Sequence, residues 1–353
     1  MANDPLVGRF FGLLEEQWTK ATEAQDMPPP LNTVPGPTSA DPSLRRRLVL
    51  ASSLWALSAC GDRADRWRQG TAEGGLSGGA GAVASVGRGR DRGNTGDAST
   101  PTLSDLAYGP DSRHRLDVYT PPSASNAPII LFAHGGAWVV GDKSMGRGVD
   151  NKVARWVSRG AIVIAMNYRM PKPPNPGQQA EDVARALAFV QTHARTWGGS
   201  TERIMLMGHS AGAHLASLVS ADVALQQRWN LKPWLGTVSL DSAAMDVVTL
   251  MQNKHPRLYD RVFGNQADGW KKVSPLHQIT GKLPPMLLVC SAERSDSCDA
   301  ARAFAQASLR FGSDVKVLPV ALNHGAINTD LGQAGPYTDA VEAFMFPRLG
   351  LAR

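Results

Sequence analysis

The stretch Arg203–Leu218, "RIMLMGHSAGAHLASL", runs from a nearly continuous apolar segment into a helical pattern through Gly208-His209-Ser210-Ala211-Gly212. Strand, sharp turn and helix in that order are what a G-x-S-x-G elbow requires. A serine carried over the carboxyl end of a strand must be flanked by residues with little or no side chain. Ser210 is therefore read as a candidate nucleophile, and the N–H of Ala211, at the start of the helix, as a candidate oxyanion donor.

Outward from the elbow the same texture repeats. "HRLDVYT", "APIILFAHGG", "GAIVIAMNY", "LGTVSLDS", "PPMLLVCS" and "DVKVLPV" are short runs rich in apolar and β-branched residues. Several are apolar at nearly every position, as strands covered on both faces must be. Helical patterns lie between them in "QQAEDVARALAFVQTHA", "AGAHLASLVSADVAL", "CDAARAFAQASLRF" and "YTDAVEAFMFPRL". This alternation predicts an α/β fold over residues 102–353, with a mainly parallel central sheet and helices on both faces. The segment Asp246 to Lys272, with Tyr259, Phe263 and Trp270, has a mixed texture and is expected to form a small or partial lid.

The first hundred residues read differently. Residues 44–60 place three arginines before a short apolar run and end on Leu57-Ser58-Ala59-Cys60, which resembles a bacterial lipobox whose cysteine is lipidated. Residues 61–101 are a Gly-rich linker suited to a tether, and residues 1–43 form an extension ahead of the signal, or an upstream start. The expectation is an exported lipoprotein touching the membrane through Cys60, or a cytoplasmic protein if that segment does not act as a signal. The chain has 353 residues, 42% hydrophobic and 19% charged, enough for one large core. Its formal charge of +6 is spread without a basic run and interleaved aromatics beyond "LRRR", so no nucleic-acid partner is expected.

A second motif, "FAHGGAW", Phe132 to Trp138, follows the run "PIIL". Backbone N–H groups at Gly135 and Gly136 would complete an oxyanion hole with Ala211, unobstructed by side chains. His134 reads as a structural member of that loop, and Trp138 as a pocket-lining or core residue. Together with "YGPDSRHRLDVYTPP", "NYRM", "GQQAEDVARALAFV", "FGNQADGWKKVSPLHQI", "LPPMLLVCSAERSDSC" and "NHGAIN", these motifs resemble the α/β-hydrolase esterases. The resemblance is to the hormone-sensitive-lipase-like and carboxylesterase or feruloyl-esterase-like group, which includes arylformamidases, and covers about Ala107 to Arg353. It implies a serine hydrolase of small carboxylic esters with no metal or organic cofactor. An amidase such as an arylformamidase, or a non-catalytic binding lipoprotein on the same fold, is the alternative. Ala137 stands where the lipase-like pattern has a third glycine. Asp142 and Tyr168 match positions that brace the oxyanion loop in that family.

A serine hydroxyl needs a base. In the order serine, acid, histidine, the base lies past the last strand, where His324 in "ALNHGAIN" follows "DVKVLPV". The acid is expected after "PPMLLVC", where Glu293 and Asp296 both stand; the resemblance to the lipase-like relatives, counted back from Gly312 at the helix end, and the shorter side chain of aspartate favour Asp296. Asp241 and Asp246 come one strand too early for that pattern, and Asp182 reads as a charge near a helix start. Cys290 and Cys298 bracket the acid loop. In an oxidising compartment they form a plausible disulfide; in the cytosol Cys290 is a buried core thiol and Cys298 a helix-start residue, with nothing joining them.

Overall fold

Residues 100–352 are described by a computed structural model, and within them the apolar runs form one eight-stranded sheet. The extension, the signal segment with Cys60 and nearly all of the linker lie outside the described residues. In chain order the strands are β1 (Leu103–Ala107), β2 (Arg115–Tyr119), β3 (Ala127–Ala133), β4 (Ile162–Met166), β5 (Gly199–His209), β6 (Gly236–Leu240), β7 (Met286–Ser291) and β8 (Val315–Val320). Their spatial order is β1-β2-β4-β3-β5-β6-β7-β8. β1 and β2 are antiparallel additions at one edge, and all pairings from β4 across to β8 are parallel.

The helices are α1 (Gly146–Val157), α2 (Pro176–His193), α3 (Ala211–Ala221), α4 (Val223–Arg228), α5 (Val247–Gln252), α6 (Arg257–Phe263), α7 (Ala267–Lys272), α8 (Ser295–Leu309), α9 (His324–Thr329) and α10 (Pro336–Leu349). Side chains alternate between the faces of a strand, so each apolar run feeds two cores. Ile130, Phe132, Met205, Met207, Val238, Leu240, Leu287 and Val289 pack with Val149, Val153 and Trp156 of α1 and with Phe344 to Phe346 of α10. The intervening residues Met286, Leu288 and Cys290 face α8 through Cys298, Ala301 and Phe304. α3 lies on that second face, where Ser217 and Ser220 meet Ser239 and Thr237 of β6.

Helix α1 stands outside the patterns read from the sequence, because its glycines and charges mask Val149, Val153 and Trp156. Those three recur at i, i+4 and i+7, the stripe of a half-buried helix, and Trp156 is fully buried. The run "AGAHLASLVSADVAL" is two helices: Asp222 takes an extended backbone and its carboxylate caps α4 through the Leu225 N–H (2.9 Å). The segment expected to form a lid folds as the three short helices α5, α6 and α7. Tyr259 and Phe263 of α6 are buried, and Trp270 donates to the Gly264 carbonyl (3.0 Å).

Candidate active site

β5 ends at His209, and Ser210 leaves it with φ 55° and ψ −117°, a conformation few residues with a side chain adopt. Its N–H donates to the Leu240 carbonyl at the end of β6 (2.9 Å), tying the turn to the neighbouring strand. Space explains both flanking glycines. A Cβ on Gly208 would lie 2.2 Å from the Gly212 carbonyl oxygen, and one on Gly212 would lie 2.2 Å from that of Ala133. Ala211 opens α3, so its N–H is one of the first-turn donors that have no acceptor within the helix.

The loop after β3 runs against this serine. A Cβ built on Gly135 would lie 3.1 Å from the Ser210 Cβ, and the Gly136 carbonyl accepts from Val139 and Val140 (3.1 and 3.0 Å) in a tight turn. Ala137 and Trp138 both have positive φ, 52° and 63°. Buried groups hold this strained backbone. The Tyr168 hydroxyl donates to the His134 carbonyl (2.8 Å), the two rings stack with centroids 4.4 Å apart, and Gln179 Nε2 donates to the Trp138 carbonyl (2.9 Å). Asp142 accepts from Asn167 (2.7 Å) and Arg113 (3.0 Å) at the loop's far end; burial opposes its charge, but these donors and Ser144 hold it down to about 2. Trp138 is buried: its Nε1–H donates to His214 Nδ1 (3.1 Å), and its ring meets Phe263 and Tyr259 edge-on at 5.1 and 6.0 Å. Burial lowers both His134 and His214 to about 4, so both rings are neutral at pH 7.

His324 begins α9 just past β8, behind Asn323, whose side chain accepts from the Ala326 N–H (2.8 Å). The Ser210 hydroxyl donates to His324 Nε2 (2.9 Å), and His324 Nδ1–H donates to Asp241 Oδ2 (2.5 Å). The acid that meets the histidine is therefore Asp241, one residue past β6, and neither Asp296 nor Glu293. Asp241 adopts φ 54°, a left-handed conformation aspartate tolerates; its N–H donates to the Val289 carbonyl, while Oδ1 accepts from the Ser291 N–H (2.9 Å) and the Ser297 hydroxyl. The side chain is fully buried. Burial alone would raise it; the His324 hydrogen bond and the Arg294 charge override that and keep the carboxyl well below its ordinary range. β6 lies beside β5 and between it and β7, so a residue just past β6 sits next to the elbow.

The loop after β7 delivers a cation. Arg294 Nη1 donates to Asp241 Oδ2 (2.9 Å), and its Nε and Nη2 grip both oxygens of Asp296 (3.1 and 3.0 Å), while Asp296 and Glu293 face solvent. Cys290 and Cys298, at the ends of this loop, are joined in a disulfide with Cα atoms 5.1 Å apart. Asp246 caps α5 through the Val248 and Thr249 N–H groups. Asp182 lies inside α2, fully buried, accepting from Arg169 and His114, so it anchors the end of β4 and has no role as a helix-start charge. His209 Nε2–H donates to the His324 carbonyl (2.9 Å), and Lys152 of α1, lowered to about 7 by burial, donates to the carbonyl and side chain of Asn328 in α9. Arg294, Gln179 and Lys152 are missed by the sequence reading, and Asp241 is set aside by it, because the contacts that give them their roles, to Asp241, the Trp138 carbonyl, Asn328 and His324 respectively, cross between elements.

A family model described as BD-FAE matches residues 116–297. The chain is 28% identical over 258 residues to a probable isoprenylcysteine alpha-carbonyl methylesterase of Arabidopsis thaliana, covering 67% of this chain and 53% of that protein. It is 30% identical over 206 residues to the esterase LipQ of Mycobacterium tuberculosis, covering 53% of this chain and 47% of LipQ. The chain thus spans about half the length of the curated relatives it matches. A thermophilic esterase of the planctomycete Thermogutta terrifontis superposes with a TM-score of 0.60 at 22% identity, covering 72% of this chain and 95% of that one, and establishes the α/β-hydrolase fold.

Proposed function

The chain belongs to the BD-FAE family of α/β-hydrolase esterases, and on that premise we propose that it hydrolyses small carboxylic esters through Ser210, His324 and Asp241. The observation that carries the reading is the unbroken contact line from Ser210 Oγ to His324 Nε2 and from His324 Nδ1 to Asp241. Its order and its single protonated Nδ1 suit a histidine poised to accept the serine proton.

In the proposed reaction Ser210 Oγ attacks the ester carbonyl while His324 takes its proton, and Asp241 stabilises the imidazolium that forms. Negative charge develops on the carbonyl oxygen, which the N–H groups of Gly135, Gly136 and Ala211 would receive; one such donor is worth about 100- to 1,000-fold in rate. Collapse of the tetrahedral intermediate breaks the ester C–O bond, and the proton on His324 leaves with the alcohol. Water, deprotonated by His324, then attacks the acyl carbon; the bond to Ser210 Oγ breaks, Oγ takes the proton back from His324, and the acid leaves. Trp138, packed against Tyr259 and Phe263, gives this side of the loop an aromatic wall.

Hydrolysis of p-nitrophenyl acetate by the wild type and the Ser210→Ala variant tests the reading. The variant is expected to lose at least about 1,000-fold in kcat/KM; equal turnover by the two proteins would remove the assignment. N-formylkynurenine run beside the ester separates an amidase from an esterase.

A further inference from the structure

Arg294 places a guanidinium beside the Asp241–His324 pair. Its Nη1 lies 2.9 Å from Asp241 Oδ2 and 3.0 Å from His324 Nδ1. Nη1 and the protonated Nδ1 are both donors, so no hydrogen bond joins them: the two groups converge on one carboxylate oxygen. We propose that Arg294 is a positioning residue that sets the pH at which His324 becomes available as a base, with Asp296 as the counter-charge that limits the effect. The inference rests on the esterase reading of the Ser210, His324 and Asp241 line.

A guanidinium keeps its charge at every working pH, so the imidazole is the partner that responds. Protonating His324 places a second positive charge beside Arg294, with one shared carboxylate between them. That proton is therefore less favourable than it would be if Asp241 served His324 alone. Asp296 grips Arg294 from the solvent side and offsets part of its charge. Its side chain is 39% exposed against 12% for Arg294, so solvent screens it more than the buried contact with Asp241. The disulfide between Cys290 and Cys298 closes the loop that carries Arg294.

The other groups around His324 are arranged for this charge to dominate. The His209 ring, 4.7 Å away at the end of β5, is driven well toward its neutral form by burial and by the charge of His324. Tyr259 of α6 and Tyr337 of α10 are held in their phenol form by burial. Lys152 on α1 contacts the last turn of α9 at Asn328, with Asp330 just past that helix, and both residues are unchanged in all the variants compared.

The test is the acid limb of the pH profile of kcat/KM on p-nitrophenyl acetate for wild type, Arg294→Gln, Arg294→Lys and Asp296→Asn. Arg294→Gln is expected to move the limb up by about one pH unit, Arg294→Lys to stay near wild type, and Asp296→Asn to move it down by less. A lower plateau with an unmoved limb in Arg294→Gln would reduce the residue to a loop brace and overturn the proposal, as would shifts of the same sign in Arg294→Gln and Asp296→Asn. If Arg294→Gln does not fold, Asp296→Asn decides alone: an unmoved limb overturns it. NMR titration of the His324 ring carries the same prediction without turnover. Failure of the esterase reading, seen as equal activity in Ser210→Ala, is thereby told apart from failure of this one.

Discussion

At the scale of single residues, three carboxylates compete for one role, and burial with contact ranks them. Asp241 is fully buried and touches His324 Nδ1, whereas Asp296 and Glu293 face solvent, Asp296 in the grip of Arg294. An amide at position 241 would keep the shape but favour the wrong imidazole tautomer. Asp241→Asn is therefore expected to lower kcat on the order of 1,000- to 10,000-fold. Glu293→Gln should leave kcat/KM on a short ester unchanged, and Asp296→Asn should cost less than about tenfold at the pH optimum. A dead Asp296→Asn beside an active Asp241→Asn would reverse the ranking. Ser297 belongs to the same constellation, since its hydroxyl and the Ser291 N–H occupy the second oxygen of Asp241 and leave only one facing the histidine.

At the scale of elements, the end of β7 and the start of α8 form a short closed loop. The disulfide spans eight positions and holds Ser291, Arg294 and Ser297, which all contact Asp241 directly. Closing a loop of that size restricts the unfolded chain by about 2–3 kcal/mol in the chain-entropy account. A Cys290→Ala/Cys298→Ala variant should lose about that much stability in urea unfolding, and denatured, unreduced wild type should show no free thiol at either position. Two titrating thiols there would contradict the bond. α1 plays the matching part for the base: Lys152 and Asn151 reach across to the last turn of α9 at Asn328 and Thr329, so the helix that presents His324 is held from outside the sheet.

For the whole molecule, buried neutral histidines around the elbow couple folding to pH. His134 and His214 are lowered to about 4 by burial, while an unfolded histidine titrates near 6.5. Between those values the unfolded chain binds more protons than the folded one, so stability is complete above about 6.5 and is lost as pH falls toward 4. The loss is on the order of 3 kcal/mol for each ring, with His209 adding in the same direction. Asp241 and Asp142, held low by their partners, keep their contribution until the pH is lower still. Urea midpoints taken at pH 4.5 and pH 7 should differ accordingly, with a smaller difference in His214→Gln; a flat profile would contradict the burial of these rings as neutral groups.

The strands, the elbow, the oxyanion loop and His324 were legible because each is written locally. An apolar run marks a strand covered on two faces, Gly208 and Gly212 mark a turn with no room for a side chain, and His324 stands alone after the last strand. α1 was written in the same way but more faintly, in the spacing of Val149, Val153 and Trp156. The acid could not be read so. Asp241 and Asp296 are both aspartates just past apolar strands, and nothing near either one states which lies under the histidine. Strand order places β6 against β5 and brings Asp241 within reach of His324, while a cation in the β7–α8 loop, Arg294, holds Asp296 at the surface. Contacts between residues 53 and 83 positions apart made that choice, and only the folded sheet brings those partners together.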